Sequence, residues 1–252
     1  MNAQAVHESL RDTHTPEAIG RRLDEGPSNS YLRDWIYGAI DGAVTTFAVV
    51  CGVAGAELAA GIIIILGTAN LFADGFSMAV SNFLGTRAER EHEAKARKNE
   101  ELHVRLIPDG EREEIRQIFA RKGFEGEDLD RAVEIITADL SQWVDTMLVE
   151  EHGITSHAPS AWHAATATFV AFLLAGSVPL LPYIADAIID VPGDPFALSV
   201  GMTGVAFFIV GSIKSRIVDQ PWLRSGLETL LVGGIAAVVA FAAGAILKNM
   251  AG

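Results

Sequence analysis

Five long stretches of this chain are nearly free of charged side chains, and they restrict its fold more than any other feature. The 252 residues include 19 Lys and Arg and 32 Asp and Glu, yet few of these lie in the stretches 35–56, 58–84, 162–189, 195–213 and 226–247. About 20 helical residues cross about 30 Å of hydrocarbon, so each stretch can span a membrane. The alternative, a buried soluble core, would need five long apolar helices in one small protein. We therefore predict an all-α membrane protein with five transmembrane helices.

The basic side chains predict the orientation of these helices. On one side of the predicted membrane lie 18 Lys and Arg, in the N-terminal segment, in 85–161 and in the turn at 214–225, whereas the other side has only Lys248. Basic loops stay in the cytoplasm. We therefore expect a cytoplasmic N-terminus and a cytoplasmic 85–161 segment, with the C-terminus outside. The polar first 34 residues do not resemble a signal peptide, so we expect the first span to serve as the insertion signal. The lack of a eukaryotic-looking targeting tail favours a bacterial plasma (inner) membrane.

The apolar stretches divide the chain into four parts. These are a cytoplasmic N-terminal segment (1–34), transmembrane helices one and two (35–84), a cytoplasmic helical metal-binding domain (85–161) and transmembrane helices three to five (162–252). The helical pattern of the second span continues toward Pro108, and amphipathic patterns predict further helices at about 111–122 and 126–151. We thus expect a three-helix domain inserted between spans two and three.

Smaller signals predict local features of two helices. Thr15 and Pro16 are typical of an N-cap and a first helical position, so a short helix should begin there. Pro179 and Pro182 lie inside the third span and lack a backbone donor, so they should kink that helix or end it early.

Two carboxylates lie inside the first two spans. Asp41 lies in the first apolar stretch and Asp74 in the second. A charged group at the centre of a bilayer costs at least about 2.5 to 3.5 kcal/mol, which a plain membrane anchor has no reason to bear. This placement indicates a polar path for a cation through the membrane.

The second span also carries a polar stripe. Asn70, Asp74, Ser77 and Ser81 share one helical face, and Met78 lies beside it. A thioether is a poor ligand for hard cations and an acceptable one for borderline transition metals, so Asp with Met favours a transition metal. The alternatives are hydrogen bonding between helices for the Asn and Ser side chains and packing for Met78.

Acidic pairs in the inserted domain form a second candidate site. Glu100 and His103, then Glu111 and Glu114, are each spaced to lie on one helical face, and Glu151 and His152 end the last predicted helix. Such pairs from neighbouring helices build di-metal carboxylate sites. The segment has many acidic residues, however, so such pairs also arise by chance.

Composition argues against several other functions. The net charge of -13 opposes nucleic-acid binding and favours cationic partners. Cys51 is the single cysteine, which excludes an intrachain disulfide and a cysteine-based metal cluster within one chain. The sequence has no nucleophile and base arrangement or phosphate-binding loop beyond chance, so we predict that the chain is not an enzyme.

Several runs in the spans resemble the vacuolar iron transporter family. They are YGAIDGAVTTFAVVCGVAGA from Tyr37, NLFADGFSMA from Asn70, SVPLLPY from Ser177, GSIKSR from Gly211 and SGLETLLVGGIAA from Ser225. The likeness covers about residues 31–247. It implies a homodimer of five-span subunits that moves Fe²⁺, and in some members Mn²⁺, out of the cytosol in exchange for protons.

The resemblance also implies site residues. The path would lie at the dimer interface between the first two helices of each subunit, lined by Asp41 and Met78; to these we add Asp74 and Asn70 from the polar stripe. The metal-binding domain would use Glu100, His103, Glu111, Glu114, Met147 and Glu151. His103 stands where the family has Glu, and Leu148 where a second Met is usual, which leaves metal choice and stoichiometry open.

The expected function is therefore export of Fe²⁺ or Mn²⁺ from the cytoplasm. One rival hypothesis stays open beside it. In our reading the metal is cargo and domain ligand, no cofactor is tightly bound, and protons, the lipid bilayer and a second copy of the chain are the partners. The rival is a non-transporting membrane sensor or scaffold that uses the acidic domain to bind metal. The placement of Asp41 and Asp74 argues against the rival.

Overall fold

The chain is largely helical and divides into two compact units. The computed structural model describes residues 7, 10, 11, 13–25, 30–154, 159–189, 191–218 and 220–251, and these include no β-strand. One unit, here called the membrane unit, comprises 31–88 and 159–252. The other, here called the insert, comprises 1–30 and 89–158.

Ten α-helices are found in the described residues. In chain order they are α1 (Pro16–Glu25), α2 (Leu32–Gly55), α3 (Ala60–Leu106), α4 (Pro108–Arg121), α5 (Gly126–Thr137), α6 (Leu140–Glu150), α7 (Ala161–Ser177), α8 (Leu181–Ile189), α9 (Pro195–Val218) and α10 (Trp222–Ala251). Five segments are long and apolar enough to cross a membrane: α2, α3, Ala161–Ile189, α9 and Trp222–Lys248. The predicted all-α fold with five candidate spans is thus confirmed.

Helix α2 occupies the centre of the membrane unit and packs against α7, α9 and α10. Its glycines allow close approach of the backbones. A Cβ on Gly42 would lie 2.4 Å from the carbonyl oxygen of Phe172, and one on Gly55 would lie 2.2 Å from that of Phe241. Small residues at such crossings let membrane helices pack by direct backbone contact. Asp41 therefore lies on the most enclosed helix of this unit.

The third span is interrupted where its prolines predict. Helix α7 ends at Ser177, a 3₁₀ turn covers Val178–Leu180, and α8 begins at Leu181. The missing proline N–H groups release carbonyls from the helical pattern. At this break the carbonyl of Pro179 accepts a 2.7 Å hydrogen bond from the Ser199 hydroxyl of α9.

Helix α3 continues far beyond a membrane crossing, as the sequence predicts, because its 47 residues contain no proline.

The prediction of one helix over 126–151 is wrong. Helix α5 ends at Thr137, and Asp139 then caps α6 by accepting a 2.9 Å hydrogen bond from the Gln142 N–H. The insert therefore contains three short helices after α3, and the predicted three-helix count is not confirmed.

The predicted N-cap of α1 at Thr15 is confirmed, since the Thr15 hydroxyl accepts a 3.2 Å hydrogen bond from the Ala18 N–H.

A polar cluster around Asn82 joins three helices of the membrane unit. The Asn82 amide donates to Asp34 Oδ1 of α2 at 2.9 Å and to Thr168 Oγ1 of α7 at 2.7 Å. The Thr86 hydroxyl donates to Asn82 Oδ1 at 3.4 Å. No local sequence pattern points to Asn82, because its partners lie 48 and 86 residues away along the chain. It fixes α3, which carries Asp74, against α2, which carries Asp41.

We expect Asn82→Ala to lower the free energy of unfolding by about 1 to 2 kcal/mol, because hydrogen bonds to Asp34 and Thr168 are lost. The matched control is Thr166→Ala, which removes an exposed hydroxyl of α7 that bonds to the Trp162 carbonyl of the same helix. Denaturant unfolding of the purified chain in detergent measures both variants. Equal effects of the two substitutions would contradict a structural role for the Asn82 cluster.

Candidate metal centre

A group of potential metal ligands lies in the insert, where the end of α3 meets the start of α4. Glu100, His103 and Glu111 bring their ligand atoms within 4.8 Å of one another. His103 Nδ1 is 3.7 Å from Glu100 Oε1 and 3.7 Å from Glu111 Oε1. Pro108 begins α4 right after α3 ends, so Glu111 falls in the first turn of the new helix and faces the end of the old one.

Both carboxylates of this group are buried and incompletely paired. Glu100 and Glu111 are each only 2% exposed. Among the described residues, the Oε2 atom of each is buried without a hydrogen-bond partner. An unpaired buried charge is costly, and a bound cation would offset that cost. Carboxylate oxygens with an imidazole nitrogen suit Mn²⁺ and Fe²⁺.

A second group shares one residue with the first. It consists of Glu100, Glu151 and His152, whose ligand atoms also lie within 4.8 Å of one another. His152 Nε2 is 3.0 Å from Glu100 Oε1 and 3.9 Å from Glu151 Oε2. The sequence predicted His152 only as a neighbour of Glu151. Helical spacing cannot predict which way a side chain points once the helix has ended.

Burial and neighbouring charges shift the pKa values in this cluster. Burial, and then the charges of Glu114 and Glu100, raises the pKa of Glu111 to about 7. Glu114 is exposed at the surface, but partial desolvation by its neighbours and the nearby Glu151 carboxylate also raise its pKa. The hydrogen bond to Glu100 is the main cause that raises the pKa of His152. Without a cation, the cluster therefore retains protons at neutral pH that an isolated carboxyl group would lose.

Not every predicted ligand of the insert joins these two groups. Met147 is fully buried and packs in the insert core with Ile115 and Val144, and Leu148 lies in the same core. These contacts favour packing for Met147, so its role as a ligand stays a prediction. Glu114 is exposed and lies outside both groups, although its charge interacts with that of Glu151.

The membrane unit carries its four predicted path residues on α2 and α3. Asp41 on α2 and Asp74 on α3 are both half-buried. Asn70 is half-buried, and within the described part of the chain its buried Nδ2 atom has no hydrogen-bond partner. Met78 packs against the apolar core of the unit. Roles of all four in a cation path remain predictions.

These features together define a multi-pass α-helical membrane protein with a candidate metal centre in an acidic insert. The chain belongs to the VIT family, whose family model matches residues 32–245. This finding confirms the resemblance that the runs around Asp41 and Asp74 carry.

Several relatives match most of the chain. Vacuolar iron transporter 1 of Arabidopsis thaliana is 29% identical over 243 residues, which cover 96% of this chain and 93% of that protein. Vacuolar iron transporter 1 of Eucalyptus grandis is 32% identical, with 83% of this chain and 84% of that protein covered. The vacuolar iron transporter of Plasmodium falciparum (isolate 3D7) is 31% identical, with 86% and 82% covered.

The raised pKa of Glu111 predicts pH-dependent metal binding. Because a cation binds the deprotonated carboxylate, a pKa of about 7 makes the affinity fall as the pH drops below 7. This group alone should weaken Mn²⁺ binding about tenfold between pH 8 and pH 6. We expect Glu111→Gln to bind Mn²⁺ more weakly at pH 8 and to respond less to pH, as measured by calorimetry.

The exposed Glu134 offers a matched control, because Glu134→Gln removes the same charge from α5 outside both ligand groups. It should keep the affinity and the pH response of the parent chain. If Glu111→Gln retained the full pH response, Glu111 would not be the titrating ligand.

Proposed function

We propose that this chain transports a divalent transition metal across the membrane, with Fe²⁺ as the first candidate cargo and Mn²⁺ as the second. Membership of the VIT family supports this proposal, as do the names of its relatives. The observation that carries it is the presence of two half-buried carboxylates, Asp41 and Asp74, on two apolar helices that are long enough to cross a membrane. Membrane carboxylates of this kind need a cation or a proton as a partner.

Export from the cytoplasm in exchange for protons is the direction and coupling that we propose. Moving a divalent cation out against an inside-negative potential costs about 4.6 kcal/mol per 100 mV, from about 2.3 per charge. Two protons entering in return would cancel this electrical cost. A carboxylate can bind either ion, so Asp41 can serve both as metal ligand and as proton carrier.

We further propose that the path is completed by a second copy of the chain. Ser77 and Ser81 of the polar stripe are exposed in the single subunit, as are the large apolar side chains of Phe72 and Phe76 on the same helix. Polar membrane residues generally face protein or water rather than lipid. A homodimer formed through α3 would cover this mixed surface and place Asp41, Asp74, Asn70 and Met78 of both subunits near one path.

The insert is proposed to collect the metal on the cytoplasmic side. The basic side chains around the spans support a cytoplasmic N-terminus and insert, with the C-terminus outside. A bacterial plasma membrane stays a prediction, whereas the names of the relatives refer to vacuoles. Export from the cytoplasm has the same topological direction in both membranes. An enzymatic role forms no part of the proposal.

A non-transporting metal sensor is the second candidate function. The two ligand groups lie entirely within the insert, so they can bind metal without any contribution from the membrane helices. Metal binding by the insert therefore fits both functions, and only metal flux distinguishes them.

Transport by the purified chain in proteoliposomes tests the proposal. Fe²⁺ under reducing conditions, or Mn²⁺, is added outside, and an internal pH dye records proton movement. We expect metal entry with opposite proton flux, lost in Asp41→Asn because the neutral amide neither carries a proton nor balances the charge of the cation.

The control is Asp186→Asn, which removes an acidic group near the end of α8 and should leave the flux intact. Undiminished flux in Asp41→Asn at matched protein levels would contradict the mechanism. Binding of metal by the insert without flux of either metal would favour the sensor.

A further inference from the structure

Two groups of metal ligands in the insert meet at one residue, Glu100. The first is Glu100, His103 and Glu111, and the second is Glu100, Glu151 and His152. We propose that His152 is a metal ligand and that it completes a second cation position, so that the insert binds two divalent cations that share Glu100. The inference rests on the proposed function only for the nature of the cations, since both positions lie within the insert.

The environment of Glu100 fits a shared carboxylate. Its Oε1 atom is 3.0 Å from His152 Nε2 and 3.7 Å from His103 Nδ1. Its Oε2 atom is buried and has no hydrogen-bond partner among the described residues, and the whole residue is 2% exposed. A carboxylate offers about four lone-pair sites on two oxygens, enough to contact two cations. Glu100 thus has an unused buried acceptor at the junction of the two groups.

The backbone holds His152 in place although the residue lies past the end of α6. Gly153 adopts a φ of +66°, a left-handed conformation that favours glycine, and turns the chain after the helix. The Ile154 N–H then bonds to the carbonyl of Leu148 at 2.8 Å, and the Ile154 side chain packs against the insert core. His152 is therefore part of an anchored helix end, so its imidazole is already oriented toward Glu100.

A purely structural role for His152 is the competing explanation. A hydrogen bond between His152 and Glu100 would also neutralise part of the buried charge. It would leave Glu100 Oε2 and Glu111 Oε2 without partners, however, and it gives no role to Glu151, whose Oε2 atom lies 3.9 Å from His152 Nε2. Two cations would satisfy all of these atoms together.

The ligand set predicts which cations the insert prefers. Each position combines carboxylates with one imidazole, from His103 or from His152. Imidazole suits Fe²⁺ and other borderline metals, whereas Mg²⁺ and Ca²⁺ prefer oxygen ligands alone. A second imidazole should therefore help the insert to bind a scarce transition metal in the presence of abundant Mg²⁺.

Metal binding by the full chain in detergent tests this inference without any transport. Every chain in this test carries Asp41→Asn, so that the proposed membrane path contributes no bound metal. With Mn²⁺ as the probe, equilibrium dialysis should then give two ions per chain for the parent and one for His152→Leu. The control is His92→Leu, an exposed histidine of α3 outside both groups, which should still bind two. One ion per chain in the parent, or two in His152→Leu, would overturn the proposal.

Pulsed electron paramagnetic resonance of bound Mn²⁺ adds a second readout, because it detects a nitrogen ligand directly and does not depend on counting the bound ions. In His103→Leu, the one histidine left in the two groups is His152. Nitrogen coupling to Mn²⁺ should persist in this variant and disappear in the double variant His103→Leu with His152→Leu. Absence of nitrogen coupling in His103→Leu would refute ligation by His152. Either result is independent of metal flux, so failure of this inference is distinguishable from failure of the transport proposal.

Discussion

The cost of placing carboxylates away from water without a fixed partner governs this structure. It arises at Glu100 and Glu111 in the insert, whose Oε2 atoms are buried without a partner among the described residues, and to a smaller extent at the half-buried Asp41 and Asp74 of the membrane helices. In the insert, burial and neighbouring acidic groups raise the pKa of Glu111 to about 7, so protonation or a bound cation is the available compensation. Fixed partners would have produced a stable ion pair instead. The absence of such partners for the buried Oε2 atoms, within the described residues, is what makes them suited to exchangeable cations.

The surrounding packing serves to keep those carboxylates in position. In the membrane unit, glycines let α2 contact α7 and α10 by backbone, while Asn82 ties α3 to its neighbours through hydrogen bonds. In the insert, Met147 and Leu148 fill the apolar core, Gly153 turns the chain after α6, and His152 Nε2 lies 3.0 Å from Glu100 Oε1. Apolar contacts thus provide rigidity in both units, and the few polar groups determine where a cation can bind.

Sequence patterns predicted the helices better than the contacts between them. Length and hydropathy predicted five spans, and Pro179 and Pro182 predicted the break in the third, because these features depend on residues close together in the chain. Asn82 could not be identified in this way, since its partners are 48 and 86 residues away. His152 was named only beside Glu151, and its contact with Glu100, 52 residues away, could not be predicted. The sequence did not reveal the helix boundary at Asp139, because the spacing of apolar residues runs on from α5 into α6 across the Asp139 N-cap. Glu100, His103 and Glu111 were predicted from spacing and resemblance, and the structure places them together.

In the proposed mechanism, metal held by the buried carboxylates of the insert is cargo, and the concentration dependence of transport tests this most directly. Glu100→Gln combined with Glu111→Gln removes the unpartnered charges and leaves Asp41 and Asp74 intact. Initial rates of Fe²⁺ entry into proteoliposomes should then show a half-saturating concentration raised at least about tenfold, with a maximal rate within about twofold of the parent. An unchanged half-saturating concentration would contradict the claim that the insert supplies metal to the membrane path.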